Sequence, residues 1–144
     1  MARRPVSRRR DGRQPPEPAA GGALVSVCRG CCCGTRAKHP DTDHAGQLAA
    51  LRAALGGSGA RLRITDCLDA CEHSNVVIVS PGAAGRRAGG RPVWLGEVLG
   101  RDPIEEIAAW AAAGGPGVAD PPGTLDLHAF SPSRRVRAAG EPTD

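Results

Sequence analysis

The sequence predicts an α/β domain: a small four-stranded sheet covered by two helices, between disordered tails. Three observations carry this expectation. Four short runs rich in Val, Leu and Ile are bounded by Gly and polar stretches, as strands are. Two longer segments carry apolar residues at helical spacing on one stripe. The two ends are made of Arg, Pro, Gly and Ala, with little to bury.

Residues 1–22 are read as a disordered Arg/Pro-rich extension, and ALVSV (23–27) as a first strand ending on Cys28. CRGCCCGT (28–35) holds Gly30 and Gly34 and cannot continue that strand. A helix is expected from about His44 to Leu55, with Asp43 as N-cap, Leu48, Leu51 and Leu55 as its buried stripe and GGSG (56–59) as its stop. RLRIT (61–65) alternates, placing Leu62 and Ile64 on one strand face. VVIVS (76–80) is apolar throughout, which predicts a central strand. PGAAGRRAGG (81–90) reads as a turn or hairpin loop and RPVWLG (91–96) as the fourth strand. The second helix is expected to start at Asp102, with Asp102 as cap, Pro103 in the first helical position and Glu105 reaching back; Ile104, Ile107, Ala108 and Ala111 face inward and GGPG (114–117) ends it. This divides the chain into a folded domain over 23–113, a docking arm over 114–130 carried by Leu125, Leu127 and Phe130, and a loose tail over 131–144.

Composition narrows the function. The chain has 144 residues, one ordinary domain at most, with Gly 20, Pro 13 and only 2% aromatics, namely Trp94, Trp110 and Phe130. A large enzyme, a collagen-like repeat and a multi-domain assembly are excluded, and no apolar run approaches the ~20 residues of a membrane span. Residues 1–22 carry six arginines against Asp11 and Glu17, whereas residues 23–130 carry ten basic and eleven acidic groups. The folded part is therefore near neutral. Without clustered basic residues and stacking aromatics, it is not expected to bind nucleic acid. The start has a charged head with no apolar stretch behind it, so no secretion signal is expected, and the chain is placed in a reducing cytoplasm. There, six cysteines point to ligands or redox groups before structural disulfides.

Those cysteines form two groups, Cys28, Cys31, Cys32 and Cys33, then Cys67 and Cys71. Each group follows a predicted strand, where a rigid sheet can hold thiolates toward one point, and converging thiolates suit iron–sulfur or zinc. Taking Cys28 and Cys33 as the first pair gives C-x4-C, 33 residues, then C-x3-C followed by a hydrophobic strand, CLDACEHSNVVIV. This pattern, with the β-α-β-β-β-α order, resembles the thioredoxin-like [2Fe–2S] ferredoxins, in particular the cluster domain of the small peripheral subunit of NADH dehydrogenases, over roughly residues 23–113.

The resemblance implies a thioredoxin-like ferredoxin fold and a [2Fe–2S] cluster on Cys28, Cys33, Cys67 and Cys71. It implies one-electron transfer between an unidentified reductase and acceptor, with no substrate turned over by the chain itself, no nucleic acid and no membrane. The family includes homodimers, and a homodimer enters as an expectation of the resemblance alone. The start of this chain does not supply the helical region of the respiratory subunit, which favours a free-standing ferredoxin. Cys31 and Cys32 lie between the ligands and leave the second position open among three neighbours, of which Cys33 is chosen.

Other readings are weighed beside it. A zinc-binding structural or interaction module would use the same four thiolates. A cluster sensing oxidants or iron would use the same centre. A thiol–disulfide oxidoreductase at Cys28 and Cys31 would need a helix beginning at the pair, which Gly34 and AKHPDTD delay. A Rieske-like site fails because no cysteine follows Cys71. His39, His44 and His128 read as surface or loop residues, Glu105 and Glu106 as a solvated face, and Trp94 and Trp110 as core fillers. No phosphate loop or nucleophile elbow occurs.

Overall fold

The computed structural model describes residues 22–29, 33–35, 38–66, 70 and 73–141. Strand β1 (Leu24–Cys28) is followed by helix α1 (His44–Leu55), β2 (Arg61–Thr65), β3 (Val77–Ser80), the short helix α2 (Ala83–Arg87) and β4 (Val93–Leu95). Helix α3 (Arg101–Ala112), a 3-10 turn (Gly123–Leu127), β5 (Ala129–Phe130) and helix α4 (Arg134–Gly140) complete the described chain. The protein is α/β, with one mixed sheet in the order β2-β1-β3-β4-β5. β1 and β2 are parallel, joined through α1, and every other neighbouring pair is antiparallel.

The sheet has five strands where the sequence predicts four. The fifth comes from the docking arm, where Phe130 pairs with Trp94 and Ala129 with Leu95. Two residues are too few to show a strand period, so only their partner strand defines them. β3 is central and wholly buried, as its unbroken apolar run implies. β2 is an edge strand, which leaves Leu62 half-buried and Ile64 44% exposed although they share a face with Val25 and Val27.

Alternation along the strands gives the sheet two different faces. Val25, Val27, Val77, Val79 and Leu95 meet Leu51 and Leu55 of α1 and Ile104, Ile107 and Trp110 of α3 in the main core. Asp43 caps α1 as expected, accepting from the Gly46 N–H at 2.9 Å. For α3 the expected cap is corrected: the N-cap is Gly100, without a side-chain bond, and Asp102 and Pro103 lie within the first turn. Proline is tolerated there because first-turn N–H groups have no intrahelical partner, and a carboxylate there suits the helix dipole. α3 ends as Gly114 and Gly115 turn to φ 120° and 71°, with the Gly115 N–H returned to Trp110 O at 2.9 Å.

The opposite face carries Cys28, Ile78 and Trp94, with Phe130 and Val136 packed on them. Val136 belongs to α4, so the tail expected to be loose is helical over Arg134–Gly140. Ser133 caps it through the Val136 N–H, the Arg63 Nη2 donates to Gly140 O at 2.6 Å, and Trp94 Nε1 donates to the Glu141 carboxylate at 2.8 Å. A seven-residue helix does not persist unaided; RRVRAAG offers a pattern search one large apolar residue, Val136, and two alanines, and contacts to the sheet hold it. The segment expected as a turn or hairpin loop holds α2 instead. Among the described residues no helix is long and apolar enough to cross a membrane. The extension expected to be disordered lies outside the described residues up to residue 21.

Candidate metal centre

The site grows from the end of β1. Its five residues are all buried, and Cys28 closes the strand on the second face, with its N–H donating to Val76 O at 3.0 Å. The chain returns to Cys33 and Gly34, and both sulfurs lie in one buried cluster with Ala70, Val76, Ile78 and Trp94. Each cysteine is 2% exposed. The two thiols are hydrogen-bonded to one another. Cys28 Sγ also lies 3.1 Å from Asp66 O, so its single proton can serve either acceptor.

The Cys33 thiol is pulled down to about 6, first by the Cys28 side chain, then, against the opposing effect of burial, by the backbone N–H groups of Val76 and Asn75 and by the Arg29 guanidinium. Those two N–H groups lie just before β3, where Ser74 and Asn75 both have left-handed φ, 54° and 44°. Arg29 is half-buried, and burial lowers it from its ordinary value while Cys33 and Cys28 oppose that shift.

Helix α1 ties both cysteine-bearing ends. Arg29 follows Cys28; its Nη2 donates to Gln47 Oε1 at 3.2 Å and its Nη1 to Cys28 O at 2.9 Å. Gln47 in turn donates to Leu99 O at 2.6 Å. Gly34 follows Cys33; its N–H donates to Asn75 Oδ1 at 2.8 Å, and Asn75 Nδ2 donates to His44 Nδ1 at 3.1 Å. At Gly34, φ is 74°, which glycine adopts without strain, and an added Cβ would displace the Arg29 side chain. Beyond the sulfurs, His73 stacks on Phe130 with centroids 3.7 Å apart, and Phe130 meets Trp94 edge-on at 6.1 Å.

Of the predicted ligands, Cys28 and Cys33 are thus brought together, while Cys67 and Cys71, like Cys31 and Cys32, lie outside the described residues. Among the described residues no three His, Cys, Asp or Glu side chains form a metal-holding group. The donors present fit a thiophilic metal: two thiols in contact, one of them facing backbone N–H groups of the kind that hydrogen-bond cluster sulfurs. Trp94 and Trp110 are core residues, 1% and 3% exposed. His44 is corrected from a surface or loop histidine to a buried one.

The polar frame of Asn75, His44 and Gln47 escapes a search for ligands, yet it leaves a signal. His44 and Gln47 continue the Leu51 and Leu55 stripe toward the start of α1, and a polar residue in line with a buried stripe has a buried partner. A scan against protein-family models and searches of curated proteins and solved structures find no match.

Proposed function

We propose that this protein is a ferredoxin of the thioredoxin-like type, a one-electron carrier with a [2Fe–2S] cluster on Cys28, Cys33, Cys67 and Cys71. The observation that carries the reading is that Cys28 and Cys33, each 2% exposed, lie in one buried cluster with Ala70 and Val76. Two further residues lead to the remaining ligands of the motif. Asp66, which precedes Cys67, has its carbonyl 3.1 Å from Cys28 Sγ, and Ala70, which precedes Cys71, packs in the same cluster as both sulfurs. The core order β2-β1-β3-β4, parallel only between β1 and β2, supports a thioredoxin-like assignment.

Bound there, a [2Fe–2S] cluster supplies one-electron transfer. The chain's own part is to hold thiolates in place, to donate N–H groups to sulfur and to keep water from the pair, and such hydrogen bonds and burial tune potential. The chain itself turns over no substrate; a cytoplasmic reductase and an acceptor exchange electrons with it. The test is a visible spectrum of anaerobically purified protein, with iron, zinc and acid-labile sulfide assayed on the same sample. A brown protein with about two irons and two sulfides per chain is expected for this cluster type, and Cys67→Ser or Cys71→Ser should abolish both. A colourless protein with stoichiometric zinc after iron-replete expression would replace electron transfer with a structural zinc module.

A further inference from the structure

Asn75 is 1% exposed and stands between the loop that carries Cys33, helix α1 and the start of β3. Its φ of 44° is sparsely populated by residues other than glycine, and asparagine is one of the few that tolerate it. Ser74 beside it, at 54°, shares that conformation. Successive residues in this region persist only where the surroundings over-determine them.

Here the surroundings are visible. The Asn75 side chain is held at both ends: Oδ1 accepts the Gly34 N–H at 2.8 Å and Nδ2 donates to His44 Nδ1 at 3.1 Å. His44 Nε2 lies 3.2 Å from His39 O, an acceptor only, so the ring proton sits on Nε2 and leaves Nδ1 to accept. The chain of bonds therefore has one consistent direction, from Gly34 to Asn75, from Asn75 to His44 and from His44 to the His39 carbonyl. Its first member is the residue that follows Cys33.

We infer that Asn75 is the positioning residue of the metal centre: its side chain ties the amide of Gly34, the residue after Cys33, to His44 of helix α1. The inference rests on the ferredoxin reading for what is bound, and on the hydrogen bonds alone for the positioning. Outer residues of this kind alter metal affinity by roughly 10- to 100-fold when removed.

Asn75→Gly adopts the left-handed backbone without a steric penalty and deletes only the amide; Asn75→Asp keeps an oxygen for the Gly34 N–H. In the cluster-free full chain, labelled with nitrogen-15, the Gly34 amide should exchange with solvent roughly tenfold faster in Asn75→Gly and within about threefold of wild type in Asn75→Asp. In the reconstituted protein, loss of iron to a ferrous chelator should quicken by about 10-fold or more in Asn75→Gly, its reduction potential should move, and Asn75→Asp should restore most of the wild-type iron retention.

Unchanged Gly34 exchange in Asn75→Gly overturns the inference. So does a lowered melting temperature with wild-type iron release and potential, which marks a merely structural residue. A wild-type chain that takes up no iron or sulfide overturns the ferredoxin reading instead, and the Gly34 amide then decides the positioning by itself.

Discussion

The two faces of the sheet are built by different means. The face under α1 and α3 is closed by Val25, Val27, Val77, Val79 and Leu95 against Leu51, Leu55, Ile104, Ile107 and Trp110, an apolar contact with many members. The face under α4 carries Ser26, Cys28, Ile78 and Trp94, and its cover is held by directed bonds, Arg63 to Gly140 O and Trp94 to Glu141, with Arg63 also bonded to Ser26 Oγ at 3.0 Å within the sheet. Ser80 Oγ and Arg61 Nε, also on that side, are buried without a hydrogen-bond partner among the described residues. Non-directional burial spreads stability over many contacts; directed bonds concentrate it in a few pairs and leave room for reactive side chains. Cys28 stands on the second kind of face, with Cys33 packed beside it.

Breaking the first face should cost stability and leave the chemistry alone. Ile107→Ala removes a fully buried side chain and should destabilise the protein by about 2–5 kcal/mol, measured by urea unfolding, while the reconstituted protein keeps its visible spectrum. Loss of the spectrum at temperatures where this variant remains folded would show that the two faces are coupled.

The second face should respond to pH. The Cys33 thiol titrates near 6 in the folded cluster-free protein and well above that when unfolded. Between these values the unfolded chain binds more protons, so the unfolding free energy should rise with pH from about 6 toward about 8.5, by at most ~1.4 kcal/mol per pH unit. This contribution is complete above the unfolded value and fades as pH falls through 6. Cys33→Ser should flatten the slope; a Cys33→Ser profile parallel to wild type would remove Cys33 as its source.

Glu141 sharpens the comparison at smaller scale. Its Oε2 accepts from Trp94 Nε1 and from Arg137 Nη1, both at 2.8 Å. Glu141→Ala should cost about 1 kcal/mol, since the partly exposed ion pair adds little beyond the indole bond. The tryptophan fluorescence should also shift as Trp94 gains solvent, and an unchanged spectrum would show that α4 does not depend on this bond. The smallest effects are expected at Cys31 and Cys32: replacing either by Ser should leave the visible spectrum of the reconstituted protein nearly intact, and a bleached Cys32→Ser protein would transfer the ligand role from Cys33 to its neighbour.

Legibility in the sequence followed the same division. α1 was readable at both ends because its signals are local: Asp43 caps it, Leu51 and Leu55 repeat along it and GGSG stops it. β1, β2 and β3 were readable as apolar or alternating runs. α4 was not, because its stabilising partners, Arg63 and Trp94, lie 77 and 47 residues from the groups they bind. β5 was not, because a strand of two residues exists only by pairing.

The same holds at the candidate site. The C-x4-C and C-x3-C spacing marked Cys28, Cys33, Cys67 and Cys71 as ligand candidates, because thiols are recognisable by type wherever they stand. The frame that places two of them is made of common polar residues, whose role depends on what they face. Sequence alone determined the class of the fold, its apolar stripes and the chemistry its cysteines offer, since composition and periodicity are properties of the chain itself. Tertiary structure decided on which sheet face Cys28 lies, how the tail covers that face, and that His44, Gln47 and Asn75 bond the segments that carry Cys28 and Cys33, since burial and hydrogen-bond partnership arise only when distant segments meet.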